Sequence, residues 1–191
     1  MISAPKIWLL RHGETLWNAE RRVQGQLESE LTPRGIAQAH QQAALMAPVL
    51  ANSPPCFVSP LGRAQQTAEI ALGGKAFVTD ARLAEAHAGQ WQGRLREKLL
   101  AERPDLAEAS ALEVFLSAPE GERFDGFQGR VSDFLGDLTE PSVVVAHGLL
   151  GQVMRGLLCG LGRAEMGHLA NAQGCVYVLE NGAETVLTAS A

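Results

Sequence analysis

Ser142-Val143-Val144-Val145-Ala146, followed at once by His147-Gly148, is the stretch that decides the fold. Three consecutive valines show no polar alternation, so the strand they predict is buried on both faces. Such a strand sits at the centre of a sheet with a layer of helices on each side. Working outward, Lys6–Leu10 (KIWLL), closed by Arg11-His12-Gly13, predicts a second buried strand. Cys56–Ser59 (CFVS) and Ala76–Thr79 predict two more. Thr32 as N-cap with Pro33 at the first helical position starts a helix that runs toward Pro48, whose missing N–H disturbs its end. Pro60-Leu61 opens a helix through GRAQQTAEIAL that stops at Gly73-Gly74. Helical spacing returns at Phe124–Leu138 and Leu149–Leu161. The last strands, Cys175–Leu179 and Thr185–Ala189, are joined by an Asn181-Gly182 turn. This alternation predicts an α/β three-layer sandwich with a mostly parallel central sheet flanked by helices. The stretch 89–122 breaks the pattern with Gly, Pro, mixed charge and a helix near Arg94–Arg103. It is expected to be a lid or insertion within a single domain covering 1–191.

Composition narrows the function. The chain has 191 residues, 46% of them hydrophobic and 19% charged, so it can bury a sizeable core and is not a disordered segment. Its formal charge is −5, and no long basic run is present. Nucleic acid is therefore not an expected partner. An anionic small molecule stays open, because total charge says nothing about one pocket. The opening MISAPKIWLL holds too short an apolar run for a secretory leader, and no window reaches the roughly 18 apolar residues of a membrane helix. Cys56, Cys159 and Cys175 are odd in number and widely spaced. They suggest neither a disulfide framework nor a zinc site, and a cytoplasmic protein without a metal or cofactor is expected.

Ligands of open α/β sheets bind outside the carboxyl ends of the strands. Three predicted strands end in unusual residues: the first in Arg11-His12-Gly13-Glu14-Thr15, the second in Ser59 leading to Arg63, the valine strand in His147-Gly148. If these strands are parallel, Arg11, His12, Arg63 and His147 share one rim. Four potential cations beside helix N-termini make a site for a phosphate dianion, and each arginine presents a planar fork of donors. Any one of these residues alone would more often be structural. Their shared rim reverses that expectation. Trp17 and Trp91 are candidates for pocket walls or for ordinary packing, His40 is expected in solvent, and His87 and His168 are undecided.

These residues resemble the histidine phosphatase superfamily, which includes the cofactor-dependent phosphoglycerate mutases. Leu10-Arg11-His12-Gly13-Glu14-Thr15 with Trp17-Asn18 looks like its signature. Gln24-Gly25, Leu31-Thr32, Gly35 and Gln38-Ala39 resemble the next block, and Ser59-Pro60-Leu61-Gly62-Arg63-Ala64-Gln65-Gln66-Thr67-Ala68 resembles the second phosphate-arginine block. Leu83-Ala84-Glu85 with Gly89, Trp91 and Gly93 resembles the segment with the family's acid, and Pro119-Glu120-Gly121-Glu122 and Val145-Ala146-His147-Gly148 complete the order. The resemblance spans Ile7 to about Val178 and implies a phosphoglycerate mutase-like fold. It also implies that His12 is the phosphorylated nucleophile, that Arg11, Arg63 and His147 bind phosphoryl oxygens, and that Asn18 adds a hydrogen bond. Gln24, Gly25 and Gly148 are placed at the substrate, and Glu85 protonates the leaving oxygen.

The chemistry is coherent. A neutral imidazole is a capable nucleophile near pH 7, fixed cations balance charge in a loose transition state, and a carboxyl with a raised pKa can supply the leaving group's proton. No metal is needed on this route. The resemblance points to a metal-independent phosphatase for a small phosphorylated metabolite. A phosphoglycerate mutase and a poorly active phosphate-binding regulator are the alternatives, and the oligomeric state, homodimer included, is open. Mutases carry a long insertion with paired arginines after the acid block, whereas here only isolated bases stand at Arg94, Arg96, Lys98 and Arg103. After His147-Gly148 the family often has an arginine within two residues. Here Leu149 and Leu150 follow and the arginine is delayed to Arg155.

Overall fold

The valines of the central strand divide between two faces. In the computed structural model, which describes residues 2–189, Val143 and Val145 pack with Leu10, Val58 and the helix residues Met46, Ala64, Ala68 and Ala71. Val144 and Ala146 face the other way, onto Leu9, Phe127, Val131, Phe134, Leu150 and Val153. All three valines are completely buried. At about 1.5–3 kcal/mol per buried aliphatic side chain, no other arrangement of this stretch competes.

The sheet has six strands: β1 (Ile7–Arg11), β2 (Cys56–Val58), β3 (Val78–Thr79), β4 (Ser142–Ala146), β5 (Val176–Glu180) and β6 (Ala183–Leu187), in the order β3-β2-β4-β1-β5-β6. β1, β2, β3 and β4 are parallel; β5 runs antiparallel to β1, and β6 antiparallel to β5. Two helices, α2 (Pro33–Leu50) and α3 (Gly62–Ala71), cover one face; α6 (Phe124–Asp137) and α7 (Gly148–Cys159) cover the other. Short helices α1 (Leu16–Ala19), α4 (Arg96–Glu102), α5 (Ala111–Leu116) and α8 (Arg163–His168) complete the set. The expected mixed α/β sandwich is what forms.

Register sets the site. Arg11 stands opposite Ala146 and Val58 opposite Val145, so β1, β2 and β4 end at one level. Two further bonds extend that level into the loops: His12 N–H donates to Ala146 O and Ser59 N–H to Val145 O, each at 3.0 Å.

Several predicted boundaries shift. The Ala76–Thr79 strand contracts to Val78–Thr79, an exposed edge that pairs on one side only. The final strand covers Ala183–Leu187 rather than Thr185–Ala189, because Asn181 and Gly182 both take positive φ in a two-residue hairpin that pairs Glu180 with Ala183. Helix α2 runs through Pro48 to Leu50, since a proline in the last turn removes one N–H without ending the helix. The short helices α1, α5 and α8 carry no long apolar period, so no periodicity predicts them. The stretch 89–122 folds around a small cluster of its own, with Trp91, Leu99, Leu106, Val114 and Ala118 packed on Val23 and Ala88. No helix among the described residues is long and apolar enough to cross a membrane.

Candidate active site

His12 follows β1 and is buried. Its Nδ1 lies 2.7 Å from the carbonyl oxygen of Gly13. A carbonyl only accepts, so Nδ1 carries the hydrogen and Nε2 carries the lone pair. The Nε of Arg63 points at that lone pair from 3.3 Å. Burial first, then Arg63 and Arg11, push the His12 pKa well below the ordinary histidine value. Gly13 itself is dictated by packing, because a Cβ there would stand 2.2 Å from the carbonyl oxygen of Gly35 at the start of α2.

Arg63 lies in the first turn of α3 and is buried. Its Nη1 donates to Leu27 O at 2.9 Å and its Nη2 to Gly25 O at 2.7 Å, with Gly25 in the left-handed region that presents this carbonyl. Thr67, one turn on, donates to Arg63 O at 2.7 Å and accepts Gly13 N–H at 3.1 Å, tying the helix to the loop after β1. Arg11 donates through Nη1 to Asn171 O, and its Nε is buried without a partner. Burial lowers the pKa of both arginines, and Glu85 is the largest influence opposing it. Gly148 leaves room for Arg11: a Cβ there would meet Asn171 Nδ2 at 2.6 Å and the guanidinium carbon at 3.3 Å.

Glu85 is buried against the N-terminus of α7. Its Oε2 accepts Leu149 N–H and its Oε1 accepts Leu150 N–H and Ala86 N–H, all at 3.0 Å. Unpaired N–H groups at a helix start suit a carboxylate. The backbone under Glu85 is held by Arg130 of α6, which donates to the carbonyls of Arg82, Ala84 and Glu85 and pairs through Nε and Nη2 with both oxygens of Glu122. Glu122 therefore supports the acid segment without lining the cleft. His87 faces Gln92 and Gly89, also outside the cleft wall.

His147 ends β4, with its ring centroid 5.2 Å from that of His12. Burial, then Arg63, His12 and Arg11, lower its pKa well below the ordinary value. Its Nε2 is 2.6 Å from Ser59 Oγ, and its Nδ1 is buried without a partner. On the other wall, Asn18 Oδ1 accepts Gln173 Nε2 at 3.2 Å, and Gln24 Oε1 accepts the Thr15 hydroxyl at 3.0 Å. Both amides thus turn their oxygens to protein donors, and Gln24 Nε2 is left buried and unpartnered.

Arg11, His12, Asn18, Gln24, Gly25, Arg63, Glu85 and Gly148 line one cleft of about 850 Å³, and His147 packs beside them. The candidates named from the sequence therefore come together in space. Neither Trp17 nor Trp91 lines the cleft: Trp91 belongs to the cluster of the stretch 89–122 and Trp17 lies over Gly93. Arg155 does not line the cleft either. It is buried, paired with Glu184 through Nε and Nη2, bonded to Ala170 O and stacked 4.0 Å from the Tyr177 ring. It thereby steadies the loop that carries Asn171 and Gln173. Nothing local in the sequence marks those two residues or Arg130 as part of the site. Gln173 reaches across 161 positions to His12 O at 3.0 Å. Among the described residues no group of three or more His, Cys, Asp or Glu side chains gathers as a metal-binding set.

The family model for the histidine phosphatase superfamily, branch 1, matches residues 7–189. The chain belongs to the histidine phosphatase superfamily. Among solved structures, this chain superimposes on the alpha-ribazole phosphatase of Shigella flexneri with a TM-score of 0.78 at 28% identity, over 96% of each chain. It also matches TTHB049 of Thermus thermophilus with a TM-score of 0.76 at 32% identity, over 97% of this chain and 99% of that one. A curated relative, named "Probable phosphoglycerate mutase GpmB" in Yersinia pestis (strain Pestoides F), is 46% identical over 101 residues, 51% of this chain and 45% of that protein. The matched part thus spans less than half the length of that relative.

Proposed function

We propose that this member hydrolyses small phosphomonoesters through a phosphohistidine on His12, without a metal. One observation carries the proposal: the hydrogen bond from His12 Nδ1 to Gly13 O leaves the Nε2 lone pair facing the buried Arg63. In the first step the Nε2 lone pair attacks phosphorus and the P–O ester bond breaks, while Glu85 gives its proton to the departing alcohol oxygen. Oε2 has one backbone partner against two on Oε1, so it is the oxygen with room for that proton. In the second step Glu85 takes a proton from water, the water oxygen bonds to phosphorus and the P–N bond breaks. Phosphate leaves and His12 regains its lone pair. Arg11, Arg63 and His147 hold the equatorial oxygens throughout, and Nδ1 keeps its hydrogen on Gly13 O.

Hydrolysis rather than mutase chemistry is supported by the insertion. Of the four bases named in that stretch only Arg96 lines the cleft; Arg94 and Arg103 pair with Glu102 and Asp105, so the stretch brings no pair of arginines to a substrate carboxylate. The substrate class is a small phosphorylated metabolite, and the name of the Shigella neighbour puts alpha-ribazole phosphate on the panel. A cytoplasmic location fits three unpaired cysteines, two of them buried. The test is phosphate release from p-nitrophenyl phosphate and a metabolite panel, with and without EDTA. Turnover indifferent to EDTA and abolished in His12→Ala is expected. EDTA-sensitive turnover, or turnover retained in His12→Ala, overturns the mechanism. Phosphoglycerate interconversion that depends on 2,3-bisphosphoglycerate replaces it with the mutase.

A further inference from the structure

Ser59, at the end of β2, is fully buried and belongs to none of the steps above. Its hydroxyl oxygen lies 2.6 Å from His147 Nε2 and accepts Leu61 N–H at 3.3 Å. A serine hydroxyl has one hydrogen to give, and a neutral imidazole also has one. Only two neutral arrangements fit this contact. If Nε2 carries the hydrogen, it donates to Ser59, and the serine's own hydrogen has no acceptor among the described residues. Nδ1 would then be a bare lone pair, buried and unpartnered as well. If Ser59 donates to Nε2, the hydroxyl is satisfied in both roles and the imidazole hydrogen moves to Nδ1. The first arrangement leaves two buried groups unpaired, the serine hydrogen and the Nδ1 lone pair, and the second leaves only Nδ1–H; at about 1–3 kcal/mol for each unpaired group, the second arrangement wins.

We infer that Ser59 is a positioning residue that fixes His147 as the Nδ1–H tautomer and so turns it into a neutral hydrogen-bond donor for a phosphoryl oxygen. The two histidines of the site are then the same tautomer used in opposite senses. His12 spends its Nδ1–H on Gly13 O and offers the Nε2 lone pair; His147 has its Nε2 lone pair occupied by Ser59 and offers Nδ1–H. Burial first, and then the two rim arginines, support a neutral ring, since desolvation and the charges of Arg63 and Arg11 oppose a positive charge at His147. Donation without charge also keeps His147 from competing for protons with the nucleophile 5.2 Å away. The identity of the acceptor rests on the phosphoryl-transfer reading, but the tautomer does not.

The experiment is long-range ¹H–¹⁵N correlation NMR on histidine-labelled wild-type protein at neutral pH, with the His147 ring assigned by its loss in His147→Gln. A protonated, pyrrole-like Nδ1 and a bare, pyridine-like Nε2 are expected. A protonated Nε2 with bare Nδ1, or two protonated nitrogens, overturns the proposal whether or not the protein hydrolyses anything. In Ser59→Ala the His147 pattern is expected to lose its Nδ1–H preference and kcat for p-nitrophenyl phosphate to fall about 10²-fold, the scale of one misdirected oxyanion donor. An unchanged tautomer in Ser59→Ala, or kcat within twofold of wild type, also overturns it. Absence of turnover in the wild type, with the Nδ1–H pattern present, overturns the phosphatase reading and leaves the tautomer assignment standing.

Discussion

The strand-end rim and the stretch 89–122 both hold arginines, and they hold them by different means. At the rim, Arg63 is bound by the carbonyls of Gly25 and Leu27, and Arg11 by that of Asn171. In the insertion, Arg94 pairs with Glu102, Arg103 with Asp105, and Glu113 with Arg163 of α8. A carbonyl fixes a guanidinium without neutralising it, while a carboxylate does both. The rim arginines therefore keep their charge, and in the proposed function they lose little freedom when a dianion binds. In the stretch 89–122 Arg94 and Arg103 are spent in this way while Arg96 lines the cleft, and exposed pairs of that kind add little stability.

Substitutions can break or sharpen this contrast. The largest effect belongs to the group both rim arginines serve. His12→Ala is expected to reduce kcat by about 10⁴-fold or more, on the order seen when a covalent nucleophile is removed, as read by steady-state phosphate release. Next comes Arg63→Met, with an expected loss on the order of 10²–10³ in kcat/KM. The same variant tests the electrostatics. In the proposed mechanism His12 attacks as the neutral ring, and its lowered pKa keeps it neutral below the ordinary histidine value, so the acid limb of wild-type kcat/KM is expected to lie below that value. Without Arg63 the His12 pKa rises, and the limb is expected to move up in pH. A profile that stays in place contradicts the proposed charge at the nucleophile.

Arg130→Met is a middle case, because its guanidinium holds carbonyls and a carboxylate together. Loss of about 2–3 kcal/mol of stability is expected from bonds to charged partners at a largely buried site, measured by urea denaturation. A fall in kcat larger than any rise in KM should accompany it, as Glu85 loses its support. The smallest effect is expected for Arg94→Ala. Its pair with Glu102 is substantially exposed, at 36% and 61%, so less than about 1 kcal/mol is at stake. Thermal melts should place it beside the wild type, with kcat unchanged.

The central strand and the rim are legible because their signals are local. Three valines in a row specify a doubly buried strand wherever they fall, and a parallel sheet brings the ends of such strands to one side. That is enough to gather Arg11, His12, Arg63 and His147. Glu85, Asn18 and Gln24 come from ordered motif blocks rather than from any periodicity. The insertion reads as irregular because its helices are six and seven residues long, too short to display a period.

What the sequence determined by itself was the fold class and the roster of reactive groups, since burial pattern and residue type are properties of short stretches. Tertiary structure decided the state of each group. Which nitrogen of His12 and His147 carries the hydrogen depends on Gly13 O and Ser59 Oγ, and which way the Asn18 amide faces depends on Gln173. Arg130 and the Asn171–Gln173 loop reach the site from elements far along the chain. Hydrogen-bond direction is fixed by partners in space, and no spacing within a strand or helix encodes it.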